Sequence, residues 1–215
     1  MRLTDLHNHT KYSYDGNNTC EEIIKNAAAN GISVVGISDH QFSLGSKIHS
    51  YIEEIYSLKE KYKGIIEVKC GIEIGTRTYP DDLILSSVKN IDYCLFESLD
   101  NPRAMDLYEF EQWVKLFNIP KGLAHTDIFA LSKRYGIDMI EFMKRNNLFW
   151  EINTSGNYSY YYDFITNREK QRQIAQSNIT VSIGSDTHWI HDFKASKIMS
   201  AHSLIQKMGN PIIFS

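Results

Sequence analysis

The sequence predicts an α/β protein built on parallel strands, and three observations predict it. Short apolar or β-branched runs alternate with longer stretches of helical period along the chain. That alternation gives seven strand–helix units with no linker, no long charge run and no repeated motif beyond the rhythm itself. The 215 residues are 42% hydrophobic and 23% charged, enough to bury a core without staples and too apolar for disorder. The chain therefore reads as a single domain over residues 1–215. Seven units fit a closed barrel better than a doubly wound sheet, although composition does not decide between them.

The elements follow in order. Residues 2–6 are the first strand. Thr19-Cys20-Glu21-Glu22 has the form of a capping box, with Ile23, Ile24, Ala27 and Ala28 at helical spacing and Gly31 as a stop. Residues 33–38 (SVVGIS) are a buried-strand pattern. Ile48, Ile52, Ile55 and Tyr62 share one face of a helix that ends at Gly64. Residues 65–74 are a strand. Pro80-Asp81-Asp82 opens a helix to about Lys89, with acids in its first turn. Residues 91–96 are a strand, and Leu107, Phe110, Val114 and Phe117 mark a helix that stops before Pro120. Strands at 121–125 and 148–153 flank a helical stretch over 131–146 that Gly136 interrupts. Residues 154–166 (TSGNYSYYYDFIT) read as an unusual loop, 167–177 as a polar helix and 180–185 as a strand. Ile198, Ala201, Ile205 and Met208 mark the last helix.

Charge and composition exclude several classes. A net charge of −3 and a pI near 6.2 argue against binding long nucleic acid through a basic face. No run approaches the ~18 apolar residues of a membrane span. The opening MRLTDLHNHT has no apolar signal-peptide core. Cys20, Cys70 and Cys94 are odd in number and lie in no CxxC, as expected of reduced, buried thiols in a cytoplasmic protein.

Candidate chemistry clusters at strand ends. Asp5, His7 and His9 sit at alternate positions, and two imidazoles beside a carboxylate make a metal clamp. Alone the pair is weak, since about 0.3 His-x-His pairs are expected by chance at this composition. Four further groups strengthen it: Ser38-Asp39-His40, Gly71-Ile72-Glu73, His125, and Gly184-Ser185-Asp186-Thr187-His188. Each falls at the carboxyl end of a predicted strand, the face where (β/α) barrels carry active sites. Turn chemistry alone does not account for five such ends.

The order DLHNHT…SDH…GIE…H…GSDTH, spanning residues 5–188, resembles the PHP family, named for polymerase and histidinol phosphatase domains. The resemblance implies a distorted (β/α)7 barrel whose C-terminal face holds two or three divalent ions (Mn, Fe or Zn). It implies metal-dependent hydrolysis, most often of phosphoesters, by a metal-bound hydroxide at a di- or trinuclear site. By motif, His7 and His9 hold one ion with Asp186, Glu73 bridges to a second, and His125 binds the second. His40 and His188 hold a third, helped by Asp15. Asp186 and His188 are thus the candidate catalytic residues, and Asp5 and Asp39 orient the imidazoles. One feature departs from the family: many members carry a further histidine after the fourth strand, where this chain reads Leu95-Phe96-Glu97-Ser98-Leu99-Asp100. Glu97 or Asp100 substitutes, or the second site is weaker; a carboxylate tilts selection toward Mn²⁺ or Fe²⁺ over Zn²⁺.

A phosphomonoester also needs an anion clamp, for which Arg168 and Arg103 are candidates beside their reading as solvated surface charges. Asn153, in Glu151-Ile152-Asn153-Thr154-Ser155-Gly156, is a candidate substrate contact because this strand end lines the pocket in family members that act on histidinol phosphate. Glu151 either faces substrate or pairs with a basic neighbour. Tyr158, Tyr160, Tyr161 and Tyr162 either form a lid or pack down on the barrel; the packed arrangement is the simpler reading. His49 and His202 fall in helices, and His191 near the surface. The expected function is hydrolysis of a small phosphomonoester, histidinol phosphate being the named candidate. The alternatives are a metal-dependent amidohydrolase and a PHP domain without turnover.

Overall fold

The computed structural model describes residues 2–79 and 82–215. Seven parallel strands lie in chain order: β1 (Thr4–Asp5), β2 (Val34–Ile37), β3 (Glu67–Gly75), β4 (Tyr93–Glu97), β5 (Lys121–Ala124), β6 (Leu148–Asn153) and β7 (Val181–Gly184). Backbone hydrogen bonds also cross from the first strand to the last. Leu6 N–H donates to Ile183 O at 2.9 Å and His9 N–H to Thr187 O at 2.8 Å. The strands therefore form a nearly closed barrel, the alternative the sequence had favoured but not decided.

The helices α1 (Cys20–Ala29), α2 (Gln41–Leu44), α3 (Ile48–Lys61), α4 (Asp82–Ser87), α5 (Leu107–Val114), α6 (Ile128–Tyr135), α7 (Met139–Arg145), α8 (Ser159–Thr166), α9 (Arg168–Ser177) and α10 (Ala195–Met208) complete the units. The capping box at Thr19 forms: Thr19 N–H donates to Glu22 Oε2 at 2.7 Å, and the Thr19 hydroxyl accepts from Glu22 N–H at 3.2 Å. Gly136, at φ 65°, ends α6 in the left-handed region and separates it from α7. Pro80 and Asp81, read as the opening of α4, lie outside the described residues.

One prediction needs correcting: residues 154–166 are not a loop, because Ser159–Thr166 is helical. Tyr160, Tyr161 and Phe164 supply its buried face. A run of tyrosines masks the period that aliphatic residues would have displayed. The short α2 was also not anticipated; at four residues it is below any periodic signal.

The main core fills the layer between strands and helices. A second, smaller one sits inside the barrel: Leu6, Val34, Tyr93, Leu95, Ala124 and Phe149, closed from below by Ile213 and Phe214. Tyr93 is its pivot and its hydroxyl donates to the Leu6 carbonyl. A Cβ at Gly36 would lie 2.1 Å from the Tyr93 hydroxyl, and one at Gly71 2.3 Å from its Cζ, so both strands need glycine there.

Strand register sets the upper rim. Glu97 lies opposite Gly75 on one side and Ala124 on the other, Asn153 opposite Gly184, and isolated bridges join His40 to Glu73 and Asn8 to Thr187. The strand ends that the motifs mark therefore meet on one face.

Candidate metal centre

On that rim five imidazoles and four carboxylates converge: His7, His9, His40, His125 and His188 with Asp15, Glu73, Glu97 and Asp186. His7, His9 and Glu73 are fully buried, and His40, His125 and Asp186 nearly so. His7 Nε2 lies 3.0 Å from His9 Nε2, 3.2 Å from Glu73 Oε1 and 3.5 Å from Asp186 Oδ1. His9 Nε2 lies 3.3 Å from Asp186 Oδ1 and 3.5 Å from Glu73 Oε2. Donors on a tetrahedral ion with ~2.0–2.1 Å bonds stand about 3.3–3.4 Å apart, so this spacing fits a divalent ion.

The neighbouring donors extend the cluster on both sides. His125 Nε2 is 2.9 Å from Glu73 Oε1. His40 Nδ1 is 2.8 Å from Glu73 Oε2 and 3.5 Å from Glu97 Oε1, while its Nε2 is 3.4 Å from Asp15 Oδ2. His188 Nε2 is 3.3 Å from the same Asp15 oxygen. Despite the 2.8 Å approach, His40 Nδ1 and Glu73 Oε2 are not aligned for a hydrogen bond, and both are buried without a partner, as is Asp15 Oδ1. Buried polar atoms that point past one another are costly unless a cation binds between them.

The electrostatics agree. Burial works to raise the Glu73 pKa, but His7, His125 and His40 hold it well below the usual carboxylate range. Burial works to lower the His40 pKa, but Glu73 and Glu97 push it up to about 10. Burial likewise opposes a charged His7, and Glu151, Glu73 and Asp186 outweigh it, lifting its pKa well above the ordinary value. The carboxylates thus favour positive charge at the rim, the sign a metal ion would bring.

The chain builds this arrangement with strained backbone and buried carboxylates. Ser98, His125 and Asp186, each at a strand end, all have positive φ, at 60°, 30° and 55°. Non-glycine residues rarely adopt this region, and those that do cluster at functional sites. Glu151 lies wholly inside: its Oε1 is 2.7 Å from His7 Nδ1, and its Oε2 accepts from His125 N–H at 2.7 Å and from Asn153 Nδ2 at 3.2 Å. A Cβ at Gly184 would come within 2.3 Å of Glu151 Oε1, so that glycine makes the carboxylate's room. Of the two readings of Glu151, the pairing with a basic neighbour is the one the geometry displays.

Two expectations are corrected. Asp5 and Asp39 orient no imidazole. Asp5 accepts from the Ser185 N–H and hydroxyl, both at 2.8 Å, and Asp39 from Thr10 N–H at 2.7 Å, Thr10 Oγ1 at 2.8 Å and Ser13 N–H at 3.0 Å. They fix the turns that carry the candidate ligands, and Glu151 orients the His7 ring.

The remaining candidates divide. Glu97 joins the cluster, whereas Asp100 Oδ2 accepts from Asp127 N–H at 3.2 Å at the start of α6. Asn153 is buried and spends its amide on Glu151 and, at 3.3 Å, Asp186. Arg103 and Arg168 are exposed, and neither side chain contacts the cluster among the described residues. Tyr160 packs down, donating its hydroxyl to Glu151 O at 3.0 Å, while Tyr162 is exposed. Tyr158 does something else: it stacks on His125 at 4.3 Å with planes 4° apart. His49 lies on α3, His191 is exposed, and His202 is buried in α10 with its Nε2 2.9 Å from Thr4 N. The three cysteines are buried and free. No helix among the described residues is long and apolar enough to cross a membrane.

The PHP domain model matches residues 5–155. A probable histidinol-phosphatase of Thermotoga maritima is 28% identical over 216 residues, covering 86% of this chain and 84% of that protein. The structure of a histidinol phosphate phosphatase from Lactococcus lactis, complexed with zinc, L-histidinol and phosphate, is similar at a TM-score of 0.63. The match has 17% identity and covers 98% of this chain and 95% of that one. A putative histidinol phosphatase from Listeria monocytogenes is similar at 0.62 and 13% identity, covering 88% and 97%. The chain belongs to the PHP domain family.

Proposed function

We propose that this PHP domain is a metal-dependent phosphoesterase that hydrolyses a small phosphomonoester. The observation that carries it is the convergence of nine imidazole and carboxylate side chains on one barrel rim, with buried donors left unpaired among them. The histidinol phosphatases similar to this chain support the substrate class and make histidinol phosphate the first candidate.

In this reading His7, His9, Glu73 and Asp186 hold one ion. Glu73 would be shared with its neighbours, His125 lying against its Oε1 and His40, with Glu97 beside it, against its Oε2. Asp15, His40 and His188 hold a further ion. A neutral imidazole offers one lone pair, so His40, which reaches Glu73 and Glu97 through Nδ1 and Asp15 through Nε2, serves one of the two neighbouring ions at a time. Bound divalent ions supply an acidified water at neutral pH and offset charge on the phosphoryl oxygens. The protein contributes positioning. Glu151 keeps the His7 Nδ1 proton in place so that Nε2 faces the cluster, and Tyr158 covers the outer face of His125. Asp186 and His188 would both be ligands of bound ions, and in that sense catalytic residues.

The test is metal per protomer by elemental mass spectrometry on untagged protein purified without chelator, followed by a phosphoester panel. Two or three equivalents of Mn, Fe or Zn with turnover of a phosphomonoester support the reading. A content near zero that added Mn²⁺ or Zn²⁺ does not restore overturns it.

A further inference from the structure

Beside the cluster opens a cleft of about 410 Å³ that the proposed hydrolysis leaves unused. His40 and Glu97 of the cluster line it together with Tyr14, Phe42 and Arg77. Tyr14 is 76% exposed and Phe42 61%, although both are large and apolar. Single exposed aromatics are ordinary, but these two stand together, 5.6 Å apart, and both stack on His40, at 5.9 Å and 4.9 Å. Arg77 makes no ion pair or hydrogen bond among the described residues, although Glu97 lines the same cleft. Gln41 Oε1, on the cleft wall, is buried without a partner. Open ring faces, an uncommitted guanidinium and an orphaned acceptor at the edge of a metal centre describe a recognition surface.

We propose that this cleft is the leaving-group subsite and takes an alcohol half bearing a flat ring and a further negative charge. The inference rests on the phosphoesterase reading. With the phosphoryl group at the metal cluster, the ring lies on Phe42 and Tyr14 and the second anion meets Arg77. Arg77 then supplies the cationic contact for that second anion.

Three probes separate the parts: 4-carboxyphenyl phosphate has ring and anion, phenyl phosphate the ring alone, and glycerol 3-phosphate neither. Each variant is compared with wild type on the same probe, so leaving-group acidity cancels. Phe42→Ala raises KM for the two ring-bearing probes by roughly 10- to 100-fold and leaves glycerol 3-phosphate unchanged. Arg77→Gln raises KM about 10-fold for 4-carboxyphenyl phosphate alone. Calorimetric binding of the product, 4-hydroxybenzoate, to the full chain needs no turnover and weakens in both variants. Equal effects of either variant on all three probes, or unchanged 4-hydroxybenzoate binding, overturn the subsite. If no phosphoester is turned over, the phosphoesterase reading fails, and product binding still decides the cleft.

Discussion

Replacing Glu151 with glutamine changes one atom in a buried position and should disable the metal centre through a tautomer. The carboxylate now accepts from two sides, from His7 Nδ1–H at 2.7 Å and from the His125 N–H at 2.7 Å. A glutamine has one oxygen and one NH₂ for these two donors. If its oxygen faces His125, its NH₂ faces His7 Nδ1, which must then become an acceptor. The His7 proton moves to Nε2, the atom 3.0 Å from His9 Nε2 and 3.2 Å from Glu73 Oε1, and blocks the metal lone pair. If the amide is turned around, its NH₂ confronts a backbone N–H with no acceptor. Partners of this kind are worth 10- to 100-fold in metal affinity, about 1.4–2.7 kcal/mol. Competition of the protein against a chelating dye, with Mn²⁺ and with Zn²⁺, reads the loss directly. Thermal melts in excess chelator separate it from general destabilisation. Affinity within twofold of wild type would refute the tautomer argument, as would a Glu151→Gln protein whose chelator melt falls as far as its metal affinity.

Other expectations follow from the packing. Gly184→Ala puts a Cβ against Glu151 Oε1 and against the His7 Cβ, at 2.3 and 2.5 Å; urea titration in chelator should show a loss of about 1–3 kcal/mol, with metal content falling too. Gly36→Ala collides with the Tyr93 hydroxyl and Gly71→Ala with its ring carbons. Tyr93→Phe should therefore partly restore stability to the first variant and not the second, and equal rescue in a double-mutant cycle would contradict the packing described. His202 is held neutral by burial, which lowers its pKa below the ordinary 6.5. Its contribution is thus intact above the unfolded pKa near 6.5 and is lost as pH falls from there toward the folded value. A His202→Gln protein in chelator should lose less stability than wild type between pH 7 and 5; parallel curves would show that the imidazole is not the titrating group.

Much of this was legible because the candidate ligands are local features of strand ends. His7, His9, His40, Glu73, His125, Asp186 and His188 each stand where a predicted strand stops, and the parallel fold needs no further information to gather them. What the sequence hid is long-range. The Glu151–His7 pair joins residues 144 apart, and the separation of Glu97 from Asp100 depends on which one turns toward α6. The direction of a loop arginine is not encoded in its neighbours, so the sequence singled out Arg103 and Arg168 and passed over Arg77. The helix at Ser159–Thr166 was missed because aromatic residues pack sideways as readily as inward.

The seam between β1 and β7 has a consequence for when the protein acquires its chemistry. Donors are drawn from residue 7 to residue 188, and the final pair, Asp186 and His188, lies just past the last strand in chain order. A chain that has laid down six strands already holds the histidines of β1, yet it lacks both the seam bonds that fix His9 and Thr187 and the carboxylate shared by His7 and His9. Joining residues so far apart in sequence carries a loop-closure entropy cost that only the assembled barrel offsets. The full donor set and the closed seam therefore depend on the same β1–β7 contacts, so opening the seam would take Asp186 and His188 away from the imidazoles of β1.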